Sequence, residues 1–317
     1  MPPAPPTFTI YFHRDFDGAG SAAILGDFLA QRRGYPAARL RFRSLGFEVK
    51  ERWTRLRLRG PCAVLDFLYH PQADWWVDHH VTSFLSSEWR EAFVPGPTRV
   101  WDLRFPSCCS LMADVLRRAP HRYRNRAFDD LVHWGDIIDA ALFASVEQVL
   151  RCEEPALQIN LALQLHENPR FLSRLARELM QRSLAEIAAL PFVRRAFRYA
   201  FERQEHSIAE FRRRSRCARG VVQFDLRRAR YPYQRFVPYF LYPEARFVVG
   251  RFARNGHQEV SVGSNPWRPF QGPNIGALCA RYGGGGREQV GGITLRSSRQ
   301  AQEAAREISA LLRSHAG

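Results

Sequence analysis

Apolar and polar positions change their period several times along the chain, and each change marks out an element. Phe8 to Phe12 is a short apolar run that reads as a buried strand. Gly18 to Gly20 lead from it into a helix through about Arg33, whose apolar positions include Ala22, Ala23, Leu25 and Phe28. Further short strands are predicted over Leu40 to Arg43, Cys62 to Phe67, Trp75 to Val77 and Arg99 to Trp101, with helices beginning near Phe84 and near Ser107. Strands alternating with helices predict an α/β domain with a mostly parallel sheet, whose chemistry belongs in the loops at the C-terminal strand ends.

From Asp129 to about Phe143 the period turns helical, and it continues so through Leu157 to Leu165 and Arg170 to Leu190, with Pro155, Pro169 and Pro191 at suitable starts. This predicts an all-helical connector. Near Arg219 the pattern shortens again. GVVQFDL, RFVVGRF and EVSVG read as strands, the last two joined in a hairpin across Asn255 and Gly256. A helix over Asn274 to Arg281, a glycine loop and strand in YGGGGREQVGGITL, and an amphipathic helix over Gln300 to Arg313 complete a smaller α/β domain. The expected division is residues 1–145, a connector over 146–215, and 216–317. Trp75, Trp76 and Trp134 are assigned to core, and Cys108 and Cys109 to a helix opened by Ser107 as N-cap.

Charge narrows the class of partner. The 47 basic and 31 acidic residues leave a net charge of +16, which draws polyanions from a distance. Lys50 is the only lysine. Arginine's fork suits phosphate oxygens, although such exclusive usage can also follow the base composition of a gene. The six cysteines form no CxxC pair and read as reduced thiols of a cytoplasmic protein. No apolar run approaches the length that spans a bilayer, so neither export nor a membrane partner is expected.

The run HRDFDG sets His13, Asp15 and Asp17 at alternating positions, which in a strand share one side. WWVDHH ends in Asp78, His79 and His80; Asp66 ends AVLDF; Asp136 or Asp139 could add a carboxylate from a helix. Phosphoester hydrolysis must neutralise phosphoryl oxygens and generate hydroxide at neutral pH, and two divalent ions roughly 3.5 to 4 Å apart do both. Their ligands would be carboxylates completed by histidine. An oxygen-rich set with imidazole favours Mn²⁺, with Mg²⁺, Co²⁺ or Zn²⁺ as alternatives. Asp66, deepest, could bridge both ions; His79 would ligate; His80 would meet substrate phosphate or assist proton transfer; Asp78 would orient the imidazoles. The bland readings are turn-forming for Asp15, Asp17 and Gly18, and a tight turn for the glycines at 283–286.

These motifs resemble those of the DHH phosphoesterase superfamily. HRDFDGAGSAA at 13–23 is similar to its first motif, VLDF at 64–67 to its second, and VDHH at 77–80 to its third, with the fourth motif's aspartate falling best on Asp139. The resemblance implies metal binding by Asp15, Asp17, Asp66, His79 and Asp139, with His13 as an addition, and catalytic roles for Asp66, His79 and His80. The C-terminal part resembles the accompanying DHHA1 domain, whose GGGH motif reads GGGGREQVGG here, with Arg287 where the histidine stands. Gly284, Gly285, Gly286 and Arg287 would hold a phosphate, and Ser264, Asn265 and Trp267 of GSNPW would border the substrate. The activity implied is metal-dependent hydrolysis of short single-stranded RNA or DNA to nucleoside monophosphates. The alternatives are a small nucleotide as substrate (a cyclic dinucleotide or a phosphorylated adenosine monophosphate), exonuclease action on longer DNA, or nucleic-acid binding without catalysis. Oligomeric state is not legible.

Overall fold

Alternation along five short strands sorts side chains onto the two faces of a parallel sheet. The strands are β1 (Phe8–His13), β2 (Leu40–Leu45), β3 (Cys62–Leu65), β4 (Trp75–Asp78) and β5 (Arg99–Trp101), in the order β2-β1-β3-β4-β5. All four pairings are parallel. Ile10, Phe12, Ala63, Leu65, Trp75 and Val77 enter one core, whereas Val64 and Trp76 face the other way into a cluster with Trp53, Phe67 and Tyr69. The computed structural model describes residues 6–164, 168–231, 233–254 and 256–315.

In chain order the helices are α1 (Phe16–Arg32), α2 (Lys50–Trp53), α3 (Ser87–Glu91), α4 (Cys108–Arg117), α5 (Asp129–Asp139), α6 (Val146–Arg151), α7 (Pro155–Gln164), α8 (Pro169–Leu179), α9 (Leu184–Ala189), α10 (Pro191–Arg214), α11 (Val237–Leu241), α12 (Ile275–Ala280) and α13 (Ser298–Arg313). Every residue of α1 from Phe16 to Leu29 is buried, as befits a helix packed on several sides. Compact packing divides the chain into residues 1–143 with 152–200, and 144–151 with 201–317, so the last of the three breaks falls inside α10. Helices α7, α8 and α9 therefore pack with the N-terminal sheet.

Several elements end where local chemistry, not period, decides. The helix expected to reach Phe143 stops at Asp139, and Ala141 takes a left-handed conformation at φ 55°. The span expected as one helix from Arg170 to Leu190 is broken between α8 and α9, where Ser183 and Glu186 form a capping box. Along the outer edge of β2, the backbone carbonyls of Phe42 and Leu40 accept from Ser173 Oγ at 2.7 Å and Arg177 at 3.1 Å, both on α8.

The C-terminal unit is a mixed sheet of β6 (Ser215–Ala218), β7 (Val221–Asp225), β8 (Phe247–Arg254), β9 (His257–Ser264), β10 (Gly285–Arg287) and β11 (Val290–Leu295), in the order β10-β11-β9-β8-β7-β6. Only β7 and β8 run parallel. The expected β8–β9 hairpin pairs Arg254 with His257, while Asn255 lies outside the described residues. Ala301, Ala304, Ala305, Ile308 and Leu312 of α13 follow helical spacing and join Val249, Val260, Val262 and Ile293 in one core. The glycine loop is partly strand. Gly286, at φ 155°, lies so close to β11 that a Cβ would stand 2.2 Å from the Val290 oxygen, so glycine is required for β10 to pair there.

The tightest constraint near the sheet's C-terminal end is Gly18, where a Cβ would lie 2.3 Å from the His13 carbonyl oxygen. Gly18→Ala should lower stability by about 1–3 kcal/mol, whereas Gly96→Ala, with nothing within 4 Å of the new methyl, should be close to neutral. Urea unfolding of both variants checks this, and equal midpoints would refute the constraint.

Candidate metal centre

The cluster is assembled at the C-terminal ends of β1, β3 and β4. His13 is the last residue of β1; Asp15 is the N-cap of α1, accepting from the Gly18 N–H at 2.8 Å; Asp17 sits in the first turn. The three converge through a strand end and a helix start, not through the strand alternation expected from sequence. Asp17 is buried, and its two oxygens accept the N–H groups of Cys108 at 2.6 Å and Cys109 at 2.7 Å. That carboxylate thus sits on the positive end of α4, alongside the Ser107 cap.

Asp66 follows β3 in a left-handed conformation at φ 53°, held by its N–H donating to the Val77 carbonyl at 2.9 Å. Aspartate and asparagine are among the few side chains that tolerate this region. Its carboxylate is fully buried, and neither oxygen has a hydrogen-bond partner; His79 Nε2 is likewise buried and unpartnered. Imidazole nitrogens stand around it at 3.5–3.7 Å, His80 Nδ1 and His79 Nε2 near Oδ1 and His13 Nδ1 near Oδ2. At those distances they attract the charge without satisfying it.

His79 Nε2 also lies 3.3 Å from Asp139 Oδ2 and 3.7 Å from Asp17 Oδ2, while its Nδ1 is 3.1 Å from the Phe105 carbonyl, to which it donates. That bond turns Nε2 into the cluster. Asp78 stands in none of the candidate ligand groups among the described residues and is taken up by hydrogen bonds: it accepts from the backbone N–H of His79 at 2.8 Å, from His80 Nδ1 at 2.9 Å and from Ser83 Oγ at 2.5 Å. Asp136 accepts from Ser107 Oγ at 2.6 Å and joins none of the candidate ligand groups among the described residues, whereas Asp139 does. Phe105 and Ser83 were not singled out from sequence; the first contributes a backbone oxygen, which carries no side-chain signature.

Three groups bring ligand atoms within 4.8 Å of one another: His13, Asp15 and Asp66; Asp17, His79 and Asp139; and Asp66, His79 and His80. The electrostatics suit a cation. Burial, then the charges of Asp66, Asp139 and Asp15, push the Asp17 carboxyl well above its usual range, and burial with Asp15 raises Asp66. Burial with Asp66 and Asp15 raises Asp139 to about 6. Burial pulls the histidines down, but Asp15 and Asp66 outweigh it at His13, which is raised to about 11, and Asp66, Asp17 and Asp139 outweigh it at His79, raised to about 10. Raised carboxyl pKa values at Asp17, Asp66 and Asp139 are what crowding of like charges produces, and a bound cation would lower them.

In the C-terminal unit, Arg287 is exposed on β10, paired in register with Val290. The Ser264 N–H and Oγ both donate to the Gln289 carbonyl. Asn265 is buried, its amide donating to the Ala245 carbonyl and accepting from the Trp267 N–H. The Trp267 ring packs edge-on against Phe236 and Tyr239.

No protein-family model matches this sequence, and no curated protein does. Solved structures do. A pGpG-specific phosphodiesterase from Vibrio cholerae superposes with a TM-score of 0.74 at 16% identity, over 97% of this chain and 99% of its own. The DHH domain of a protein described as a member of a ribosomal-protein family matches at TM-score 0.58 and 13% identity, over 96% of this chain and 87% of its own. RecJ from Thermus thermophilus in complex with Mn²⁺ matches at 0.57 and 15%, over 96% of this chain and 52% of the RecJ chain. With its carboxylate and histidine motifs in order at the C-terminal end of the parallel sheet, this chain has the fold that these phosphodiesterase, DHH-domain and RecJ structures share.

Proposed function

We propose that the chain is a divalent-metal-dependent phosphodiester hydrolase that converts short single-stranded oligonucleotides, down to linear dinucleotides, into nucleoside monophosphates. The observation that carries this reading is the pair of candidate ligand groups His13/Asp15/Asp66 and Asp17/His79/Asp139, linked by a third that contains both Asp66 and His79, with the buried carboxylate oxygens of Asp66 lacking any hydrogen-bond partner. A buried carboxylate with no hydrogen bond is costly even with imidazoles at 3.5–3.7 Å, and a cation would relieve that cost. The oxygen-rich donor set with imidazole fits Mn²⁺, and Mg²⁺, Co²⁺ and Zn²⁺ remain compatible. Similarity along the whole chain to a pGpG-specific phosphodiesterase supports a substrate at the short end of the range.

In this reading His13, Asp15 and Asp66 would hold one ion and Asp17, His79 and Asp139 the other, with Asp66 near enough to His79 to contribute to both. Bound divalent ions supply acidity to the attacking water and neutralise the phosphoryl oxygens. The chain's own contribution begins with orientation: Phe105 fixes His79, and the amides opening α4 fix Asp17. His80 is the one exposed imidazole of the cluster, and its Nδ1 hydrogen bond to Asp78 leaves Nε2 outward as a proton carrier. That hydrogen bond raises its pKa above the ordinary value, more than burial and the charge of His79 lower it. As the bond between phosphorus and the leaving oxygen breaks, His80 can place its proton on that oxygen. In the C-terminal unit, the exposed Arg287 is by itself suited to a bidentate contact with a phosphate.

Three outcomes follow. Asp66→Asn keeps a side chain that tolerates the left-handed backbone while removing the charge, so the protein should fold but lose on the order of 10³-fold in kcat; product analysis on a 5′-phosphorylated dinucleotide with Mn²⁺, with EDTA as control, reads this. Near-wild-type turnover would exclude Asp66 from the site. His80→Gln should cost about 10²-fold in kcat with metal content unchanged, measured alongside elemental analysis; metal lost together with activity would make His80 a ligand instead. Metal binding should release protons, because His13 at about 11 and His79 at about 10 are protonated at pH 7 and must lose that proton to ligate. Affinity should therefore tighten as pH rises from 7 to 8, by about tenfold for each ion that displaces one proton. Titration calorimetry in buffers of different ionisation enthalpy checks it, and heats independent of buffer would contradict the assignment.

A further inference from the structure

Along the edge of β2 in the N-terminal unit runs a groove of about 700 Å³, bounded by β2, the segment around α2 and the start of α8. None of the metal-cluster residues lines it. Five arginines do, Arg43, Arg52, Arg170, Arg174 and Arg177, and no carboxylate is among the lining residues. Two of the five have work within the fold: Arg177 donates to the Leu40 carbonyl, and Arg174 lies over the Phe192 ring and 3.7 Å from Glu178. Arg43, Arg52 and Arg170 form no ion pair among the described residues, and Arg43 and Arg170 are exposed.

The floor is apolar, from Leu45, Val49, Leu56 and Leu58 with the Tyr11 ring. Ser44 also lines the groove; it is only 8% exposed and its Oγ has no hydrogen-bond partner. An inorganic anion would use the arginines and leave the apolar floor bare. A purely apolar ligand would cover the floor and strand the guanidinium groups. A nucleotide carries both surfaces, and the volume lies within the range of small-ligand sites, about 300–1,000 Å³.

We propose that this groove is a second nucleotide site, distinct from the metal cluster, which takes a nucleoside mono- or diphosphate with its phosphate on the arginines and its base on the apolar floor. It does not depend on the hydrolase reading, because no metal is needed for it. It is nevertheless tied to the cluster through the sheet. Leu45 of the groove pairs in register with His13, and two residues further on the Phe47 ring lies 5.0 Å from the His13 ring. Occupancy of the groove can therefore bear on the cluster through β1 and β2.

The test is calorimetric titration of the full chain in EDTA with 5′-GMP, 5′-GDP, guanosine and inorganic phosphate. Both nucleotides should bind, guanosine and phosphate should each bind at least tenfold more weakly, and added salt should weaken the nucleotides. The double variant Arg43→Glu/Arg170→Glu should weaken GMP at least tenfold, Arg43→Gln/Arg170→Gln should weaken it less, and the charge control Arg299→Glu on α13 should match wild type. Circular dichroism confirms that each variant is folded, and the glutamine pair preserves the test should the glutamate pair not fold. No nucleotide binding in EDTA, guanosine or phosphate binding as tightly as GMP, or equal binding by wild type and both arginine double variants would each overturn the proposal.

Discussion

Four carboxylates gathered in a mostly buried space repel one another, and the N-terminal unit is arranged around offsetting that repulsion. The imidazoles of His13, His79 and His80 stand against the carboxylates, and the first amides of α4 supply partial charge to Asp17. The offset is incomplete at Asp66, which has neighbours at 3.5 Å and beyond but no hydrogen bond. In the interior an uncompensated carboxylate persists only where the surrounding structure fixes it in place, and here the backbone does so through the Val77 contact and the left-handed turn.

The same helix that receives Asp17 binds the rest of the arrangement together. Ser107 caps it and donates to Asp136 on α5, the helix that ends in Asp139. Carboxylates far apart in sequence are thus set by one helix start. Asp17 and Cys108 are 91 residues apart, yet the bond between them fixes where α1 meets α4. Coupling of this kind makes the position of a candidate ligand a property of the whole unit and not of its own motif.

The α/β class and the order of the N-terminal strands were legible because short β-rich runs alternate cleanly with helical period. Each strand from β1 to β5 begins at the residue the pattern indicates. What escaped was governed by contacts that period does not encode. The polar strand β6 survives by pairing with β7, and the short helices α6 and α11 lack the length to show a period. The break between α8 and α9 was written in Ser183 and Glu186 but hidden beneath a continuous apolar rhythm. At the cluster, the residue types are visible in HRDFDG, VLDF and VDHH, while the choice between Asp136 and Asp139 was left open by the residues alone; among the described residues it is Asp139 that stands in a candidate ligand group. Unreadable were the Phe105 carbonyl and the amides of α4, since backbone atoms look alike at every position. In the C-terminal unit, the amide of Asn265 is engaged by Ala245 and Trp267, a use that no local pattern announces.

The hydrogen bonds from Ser173 and Arg177 to the rim of β2 reach beyond local stability. A parallel sheet left open at that rim would offer its carbonyls as a template for another chain's strand, the route by which folded proteins begin to polymerise. By laying α8 across the rim, the molecule closes that route with side chains from a helix more than a hundred residues downstream. Whatever loosens α8 therefore uncovers that rim together with the core that Leu172, Leu175 and Leu179 fill.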